Sequence, residues 1–190
     1  MAIINGSINL RRAAYAIQAG GVIAYPTETV WGFGCDPDNP RAVGRLLALK
    51  QRPVEKGLIL IAASAEQFAP YLAGLDQSLV SKFSQPTNVP TTWLVPDNGV
   101  AKSWIRGDFN SVALRVSTHK LTVELCTKVG GPIVSSSANI SGEATRQWPW
   151  QLRRYLGHQG LDFILPGQLK ANAKPSEIRD LISDKVIRAV

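Results

Sequence analysis

The chain has 190 residues, and its 21 Lys and Arg against 14 Asp and Glu give a formal charge of +7 and a pI of about 9.7. Only 18% of the residues are charged and 45% are apolar, which excludes a disordered basic tail or a histone-like arm. A chain of this length is expected to fold as one domain, residues 1–190, and this charge predicts an anionic partner.

The N-terminal part of the chain predicts a helix, a buried strand and a loop. The helix has apolar residues at helical spacing, namely Leu10, Ala13, Ala14 and Ile17. It is expected to end at the glycine pair 20–21. The run GVIAYP (21–26) is short, apolar and closed by proline, as is typical of a buried strand. TETVWGFGCDPDNP (27–40) then predicts a glycine-punctuated loop.

A second helix is predicted from Asn39, which is a favourable N-cap residue, and Pro40, which suits the first helical position. The apolar spacing of RAVGRLLALKQR (41–52) continues this helix. The helix therefore presents Lys50 and Arg52 where it ends.

Four more apolar runs predict strands, and helical stretches lie between them. The runs are GLILIAAS (57–64), TTWLVP (91–96), SVALRVS (111–117) and GPIVSSS (131–137). The clearest helical stretch is LTVELCTKVG (121–130). Pro- and Gly-containing segments near 84–99 and 141–149 are interpreted as loops within the domain rather than as linkers. Strands that alternate with helices indicate the α/β class.

Polar side chains follow several predicted strands at the point where the apolar run stops. They are Thr27, Glu28, Thr29, Ser117, Ser135, Ser136, Ser137 and Asn139. In open α/β sheets ligands bind beyond the carboxyl ends of the strands, and hydroxyl groups and backbone N–H groups suit phosphate or carboxylate oxygens. Residues 41–56 add five bases against the single acid Glu55. These features predict an anion site. The alternatives are a solvated helix face for the basic segment and a helix-capping loop for the serine run. A lone carboxylate in a loop, such as Glu28, is more often a hydrogen-bonded or solvated residue than a base or metal ligand.

Several classes of site are disfavoured by composition. Cys35 and Cys126 lie far apart and are predicted to be core residues, and with only two histidines no zinc site is expected. No GxGxxG or Walker pattern is present. No apolar run is long enough to span a membrane, and the N-terminal sequence does not have the charge order of a secretory signal, so we expect a cytoplasmic protein.

Tryptophans raise two further possibilities. The segment 146–154 combines Trp148 and Trp150 with three arginines, which would suit stacking and phosphate contacts with RNA, but packing of the indole rings is the interpretation that we favour. Trp31 lies in the predicted ligand loop and could form a wall of a nucleotide pocket.

Five strings of the chain are informative when they are taken together. They are YPTETVWGFG (25–34), LKQRP (49–53) with KGLIL (56–60), SVALRVSTH (111–119), SSSANISG (135–142) and KPSEIRD (174–180). Together they resemble the YrdC/TsaC family of threonylcarbamoyl-AMP synthases in its short, single-domain bacterial form. Each string alone is weak evidence, whereas five in the family's order and spacing are specific. The resemblance implies a twisted mixed sheet with flanking helices around a large basic cavity.

The resemblance implies a nucleotidyltransferase that condenses L-threonine, bicarbonate and ATP into L-threonylcarbamoyladenylate and pyrophosphate. The product would serve the N6-threonylcarbamoyl modification of adenosine 37 in tRNAs reading codons that begin with A. Mg2+ is expected to be carried by ATP, and the implied partners are downstream tRNA threonylcarbamoyl-transfer proteins and tRNA itself. The alternative function is an RNA-binding module, for tRNA or double-stranded RNA, that uses the same basic cavity.

The resemblance also assigns site residues. Lys50 and Arg52 would be catalytic through contacts with the phosphates. The implied ATP-binding residues are Lys50, Arg52, Lys56, Ser111, Ser137, Asn139, Thr145 and Arg188. The implied threonine-binding residues are Thr29, Arg115, Ser135 and Ser176. No protein ligand for a metal is implied.

Three departures from the family pattern lie beside these residues. TNVPTT (87–92) stands where the family usually has Trp-Pro-Gly-Pro-x-Thr, Gly57 replaces a common proline, and Glu177 replaces a threonine. We interpret all three as lineage variation, because none removes a cation of the predicted site; the alternative is a paralogue with an altered substrate.

Overall fold

The computed structural model describes residues 2–144, 149–156, 160–169 and 175–189. Its α-helices are α1 (Ala2–Gln18), α2 (Pro40–Lys50), α3 (Ala69–Leu72), α4 (Gln77–Ser84), α5 (Ser103–Arg106), α6 (Lys120–Val129) and α7 (Pro149–Leu156). Its strands are β1 (Ile23–Tyr25), β2 (Gly32–Gly34), β3 (Ile59–Ala62), β4 (Thr91–Pro96), β5 (Ser111–Val116), β6 (Ile133–Ser137), β7 (Phe163–Ile164), β8 (Glu177–Asp180) and β9 (Val186–Arg188). Short 3-10 helices lie at Val54–Lys56 and Ala65–Phe68.

The nine strands of the described residues form one mixed sheet in the order β7-β1-β2-β6-β3-β5-β4-β8-β9. The pairs β1/β7, β3/β5 and β4/β8 are parallel, and the other neighbouring pairs are antiparallel. The α/β class and the mixed sheet are therefore confirmed.

The predicted start of α2 is confirmed by its capping geometry. The side-chain oxygen of Asn39 accepts hydrogen bonds from the backbone N–H groups of Arg41 and Ala42, both at 3.1 Å, and Pro40 is the first helical residue. The helix ends at Gln51, whose φ of 47° places it in the left-handed region. The left-handed conformation of Gln51 changes the chain direction at the end of the helix, directly before Arg52. The end of α2 therefore sets the position of Arg52 in the predicted phosphate site.

The strand β2 lies inside the segment that the sequence predicts as a loop, so that prediction was wrong for Gly32–Gly34. A Cβ atom on Gly34 would lie 2.8 Å from the carbonyl oxygen of Val134 and 2.6 Å from the Tyr25 ring. Glycine therefore allows a close approach of neighbouring strands that a strand-propensity pattern does not reveal. The predicted loop near 84–99 also contains the strand β4, which the apolar run 91–96 predicts correctly.

Two clusters of buried apolar side chains cover the sheet. One contains Leu46 of α2 together with Leu60 and Leu114 of the central strands. The other lies where α1 packs near α6, with Ile17 and Leu125 among its members. Helix spacing in these segments thus predicts the core-facing residues correctly.

Cys35 and Cys126 are both buried and unpaired, each in one of these clusters. Burial raises the pKa of each thiol to about 12. Both cysteines are core residues, as predicted, and their thiols stay protonated near neutral pH.

In the part of the chain that the structure describes, no helix is both long and apolar enough to cross a membrane.

Candidate active site

A cavity of about 520 Å³ opens against the sheet, a volume typical of a small-molecule site. Ten of the predicted site residues line it: Thr29, Arg52, Lys56, Ser111, Arg115, Ser135, Ser137, Asn139, Ser176 and Arg188. They come from the loop after β1, the turn after α2, the strands β5 and β6, and the C-terminal hairpin formed by β8 and β9. Thr145 lies outside the described residues.

Lys50 lies one layer behind this lining. Its side chain is buried, and its ammonium group donates hydrogen bonds to the backbone carbonyls of Ser137 and Asn139, the latter at 2.8 Å. It also lies 5.6 Å from the centre of the Phe33 ring. Burial, with a smaller effect from the nearby charge of Arg52, lowers the pKa of Lys50 to about 8. The ammonium therefore supports the wall that carries Ser137 and Asn139.

Arg52 is held at the cavity wall by the turn that follows it. Its guanidinium donates to the carbonyl oxygen of Gly57 through Nε at 3.1 Å and Nη2 at 2.8 Å, and to that of Lys56 at 2.8 Å. Burial lowers the pKa of Arg52 from its ordinary value, but an arginine starts so high that it stays charged near neutral pH. The turn thus fixes the position of a permanent cation.

Gly57 allows that turn to form. Its φ is +57°, in the left-handed region, and its N–H donates to the carbonyl of Val54 at 3.0 Å. Proline has neither that φ nor an N–H group. The replacement of the family's common proline is therefore matched by a local conformation that proline could not adopt.

The cavity contains more positive charge than the sequence predicts. Arg106, at the end of α5, also lines it; its Nε lies 3.1 Å from Asp97 and its Nη1 donates to the carbonyl of Phe109. The cationic lining residues of the described chain are Arg52, Lys56, Arg106, Arg115 and Arg188. Against them the described lining has the single acid Glu143. This balance favours a multiply charged anion.

Arg115 is the most deeply buried of these cations. It forms an ion pair with Glu28, with Nε 3.5 Å from Oε1 and only 5% and 4% of the two side chains exposed. Its Nη1 and Nη2 lie 3.3 Å and 3.5 Å from the hydroxyl oxygens of Thr29 and Ser135. Glu28 also accepts a hydrogen bond from Ser117 at 2.8 Å. Glu28 is thus a hydrogen-bonded carboxylate, in agreement with the interpretation that the sequence favours.

The C-terminal hairpin contributes Ser176 and Arg188. The Ser176 hydroxyl lies 2.8 Å from that of Thr92, and the Ser176 carbonyl accepts from Arg188 at 2.7 Å. Partial burial of its side chain, helped by the charge of Arg115, lowers the pKa of Arg188. Thr92, the last residue of the altered string 87–92, therefore lies directly behind the cavity.

Two tryptophans, Trp31 and Trp150, do not lie where the sequence predicts them. Trp31 is fully buried in the core and does not line the cavity, so the pocket-wall interpretation was wrong. A bulky apolar ring in a polar loop gains more by filling the core. Trp150 is 60% exposed, so the packing interpretation was wrong for it. Trp148 lies outside the described residues.

Two chemically different regions therefore meet in one cavity. The charged region can bind a polyanion by charge-assisted hydrogen bonds. The buried guanidinium of Arg115, with hydroxyl groups beside it, can bind a carboxylate and a neighbouring polar group. No cluster of three or more potential metal ligands occurs among the described His, Cys, Asp and Glu residues.

Comparisons with known proteins identify relatives over nearly the whole chain. The family model Sua5_yciO_yrdC, described as Telomere recombination, matches residues 15–189. The chain is 48% identical over 188 residues to the threonylcarbamoyl-AMP synthase of Cellvibrio japonicus, which covers 98% of this chain and 99% of that protein. It is 48% identical over 176 residues to the protein of the same name from Chromohalobacter salexigens, covering 93% and 94% of the two chains.

Solved structures show the same fold. P. abyssi Sua5 complexed with L-threonine is 29% identical, with a TM-score of 0.78; the match covers 90% of this chain but only 50% of that chain, so this chain spans about half of its length. E. coli YciO, at 23% identity and a TM-score of 0.78 over 94% of this chain and 87% of that one, supports the fold alone. The predicted fold is therefore confirmed.

Proposed function

The chain belongs to the Sua5, YciO and YrdC family, and on that premise we propose that it is a threonylcarbamoyl-AMP synthase. The reaction joins L-threonine, bicarbonate and ATP to give L-threonylcarbamoyladenylate and pyrophosphate. The observation that carries the proposal is one cavity lined by five cationic side chains and several buried hydroxyl groups, in a chain 48% identical to proteins named for this activity.

Threonine binds at the buried end of the cavity. Arg115 has its two terminal nitrogens directed toward hydroxyl oxygens at 3.3 Å and 3.5 Å, long contacts that a charged carboxylate would replace with stronger ones. Thr29, Ser135 and Ser176 offer hydroxyl groups for the amine and hydroxyl of the substrate. The complex of P. abyssi Sua5 with L-threonine supports this assignment.

ATP binds along the charged region. Arg52 and Lys56 would contact the phosphates, and the remaining nucleotide contacts are proposed for Ser111, Ser137, Asn139, Thr145 and Arg188. Lys50 acts from behind the wall: its charge adds to the positive potential, and its hydrogen bonds hold the backbone of Ser137 and Asn139. Mg2+ enters with ATP, since the described cavity lining is cationic and hydroxylic with Glu143 as its one acid.

The chemistry requires two bond-forming steps. The threonine amine bonds to the carbon of bicarbonate, which leaves a carbamate and releases water. A carbamate oxygen then attacks the α-phosphorus of ATP while the bond to the bridging oxygen breaks and pyrophosphate departs with the electron pair. Fixed cations lower the barrier by offsetting the repulsion between carbamate and triphosphate and the charge on the leaving group. A deep cavity also limits the water that reaches the unstable carbamate.

The product would be used for the threonylcarbamoyl modification of adenosine 37 in tRNA. We propose that tRNA threonylcarbamoyl-transfer proteins take it over and that the enzyme acts in the cytoplasm, where ATP and tRNA are present. The alternative function as an RNA-binding module is not favoured, because the relatives are named as synthases and the arginines converge on a cavity of small-molecule size. Arg146 and Trp148 of the arginine-tryptophan segment lie outside the described residues.

Release of pyrophosphate from ATP tests the proposal. It should require both L-threonine and bicarbonate, and mass spectrometry should detect the threonylcarbamoyladenylate. Omission of either co-substrate and replacement of L-threonine by D-threonine are the matched controls. Pyrophosphate release that is indifferent to threonine would refute the function.

A further inference from the structure

We propose that Glu28 is a positioning residue for the threonine site: it holds Arg115 in the orientation that binds the substrate carboxylate and does not itself contact the substrate. The inference rests on the proposed function and deepens it. It concerns a residue that lies among the polar side chains after β1 but belongs neither to the substrate-binding residues implied by the family resemblance nor to the cavity lining.

The first argument is position. Glu28 is buried, with 6% of the residue exposed, and lies on the loop between β1 and β2. Thr27 and Thr29 on either side of it line the cavity, whereas Glu28 does not. The carboxylate therefore lies behind the wall that its neighbours form, where it can contact Arg115 but not a molecule in the cavity.

The second argument is the direction of the ion pair. Glu28 contacts the Nε side of the Arg115 guanidinium at 3.5 Å, and the terminal nitrogens point to the hydroxyls of Thr29 and Ser135. A carboxylate placed on the inner side leaves the outer edge for a second carboxylate. Glu28 and the substrate carboxylate would therefore contact different sides of the Arg115 guanidinium and would not compete for it.

The third argument is the support of Glu28 itself. Ser117 donates to Glu28 at 2.8 Å and accepts from the backbone N–H of His119 at 3.1 Å. Thr122 of α6 donates to the carbonyl of Pro26 at 2.7 Å, which ties the same loop to the helix. Two anchors therefore fix the carboxylate, and the carboxylate fixes the guanidinium.

The fourth argument is electrostatic. An arginine that is 4% exposed loses most of its hydration, and only a nearby opposite charge keeps it favourably in place. Neutral Thr29 and Ser135 cannot supply that charge. Without Glu28 the guanidinium would be expected to move toward solvent or toward other acceptors, and the carboxylate site would lose its shape.

Binding measurements by calorimetry test this inference without turnover. The proteins are the wild type, Glu28→Gln, Arg115→Gln and the double variant, and the ligands are L-threonine, threoninol and ATP. Threoninol lacks the carboxylate, so preference for threonine over threoninol reports on Arg115. We expect Glu28→Gln to weaken threonine binding about tenfold or more, with threoninol and ATP changed less than about twofold. The double variant should bind threonine no more weakly than Arg115→Gln.

Other outcomes are equally informative. A Glu28→Gln protein with unchanged threonine affinity, or with threonine and threoninol weakened equally, overturns the inference, as does an additive double variant. If Glu28→Gln does not fold, Ser117→Ala provides the second test. It removes the hydrogen bond to Glu28, together with the one that Ser117 accepts from the His119 N–H, but leaves both charges of the ion pair in place. It should reduce the preference for threonine over threoninol in the same sense, and an unchanged preference overturns the inference. Glu66→Gln, which removes an exposed carboxylate outside the cavity lining, should behave as wild type. A wild-type protein that binds no threonine would instead refute the proposed function.

Discussion

The ammonium group of Lys50 lies 2.8 Å from the carbonyl oxygen of Asn139. The same group donates to the carbonyl of Ser137, so one side chain joins the end of α2 to the last residue of β6 and to the turn that follows it. The backbone N–H of Ser141 returns a hydrogen bond to the carbonyl of Lys50 at 2.9 Å. Lys50 therefore determines where part of the cavity wall stands, in addition to the charge that it contributes.

Replacement of Lys50 should lower catalysis through both effects. Lys50→Met keeps most of the side-chain volume but removes the charge and the ammonium donor to the carbonyls of Ser137 and Asn139. Loss of a charged hydrogen bond costs about 1.5–3 kcal/mol, so we expect kcat/KM to fall about 10- to 150-fold. Pyrophosphate release measures this. Lys102→Met, at an exposed lysine outside the cavity lining, is the control, and an unchanged rate in Lys50→Met would refute the role.

Stability should depend on pH through the same group. The pKa of Lys50 is lowered to about 8 in the folded chain, chiefly by burial, from an ordinary value of 10.5. Between these two values the unfolded chain binds more protons at this residue than the folded chain, so the contribution of Lys50 to the free energy of unfolding rises as the pH rises. Below pH 8 the cost of the buried charge is fully present.

The measurement compares wild type with Lys50→Met in chemical denaturation at pH 7 and pH 10. The free energy of unfolding of the wild type minus that of the variant should be larger at the higher pH, by on the order of 2–3 kcal/mol. Other titrating groups are present in both proteins and cancel in the difference. A difference that does not change with pH would show that the Lys50 pKa is not lowered.

Gly57 should be sensitive to any side chain. A Cβ atom there would lie 2.7 Å from the carbonyl oxygen of Arg106, and φ is +57°. Gly57→Ala should therefore lower the free energy of unfolding by about 1–3 kcal/mol. Because the Gly57 carbonyl accepts two hydrogen bonds from Arg52, ATP affinity should fall as well.

Gly99→Ala is the matched control for this prediction. Gly99 has a φ of +88°, yet a Cβ atom there would meet nothing within 4 Å. It should lose about 1 kcal/mol from backbone strain and keep its affinity for ATP. Calorimetric ATP binding that responds equally to the two substitutions would show that the turn does not position Arg52.

The sequence predicts those parts of this fold that depend on local patterns. The cap at Asn39, the apolar runs of the central strands and the burial of Cys126 follow from spacing and side-chain type. The ion pair between Glu28 and Arg115 does not, because it joins residues far apart in the chain whose contact depends on how β1 and β5 are arranged across the sheet. Long-range pairs of this kind carry no periodic signal.

The C-terminal part of the site shows the same limit. Ser176 and Arg188 enter the predicted site through family resemblance alone, since the edge strand β9 is exposed along its length and has no alternating apolar pattern. Arg106 could not be predicted from the sequence for a related reason. It lies in a four-residue helix between two strands, and the contact of that helix with the turn at Gly57 places it at the cavity.

Arg106 provides the last prediction. Its backbone carbonyl lies against Gly57, and the N–H of Leu58 donates to the carbonyl of Ile105 at 2.8 Å, so α5 and the turn that holds Arg52 form one wall. A cation on this wall should act on the triphosphate and not on threonine. Arg106→Gln should therefore raise the KM for ATP about three- to tenfold while the KM for threonine changes little, because a partly exposed charge contributes less than a buried one.

Steady-state pyrophosphate release with each substrate varied separately tests this separation. The opposite pattern is expected for Arg115→Gln, in which the threonine KM should rise and the ATP KM should change little. Lys102→Gln, which removes an exposed charge immediately before α5 without altering the cavity lining, controls for a general loss of positive potential. If Arg106→Gln and Lys102→Gln raise the ATP KM equally, the higher KM results from the lower net charge of the protein and not from the position of Arg106. If Arg106→Gln raises the threonine KM instead, the division of the cavity into a phosphate wall and a buried carboxylate end is wrong.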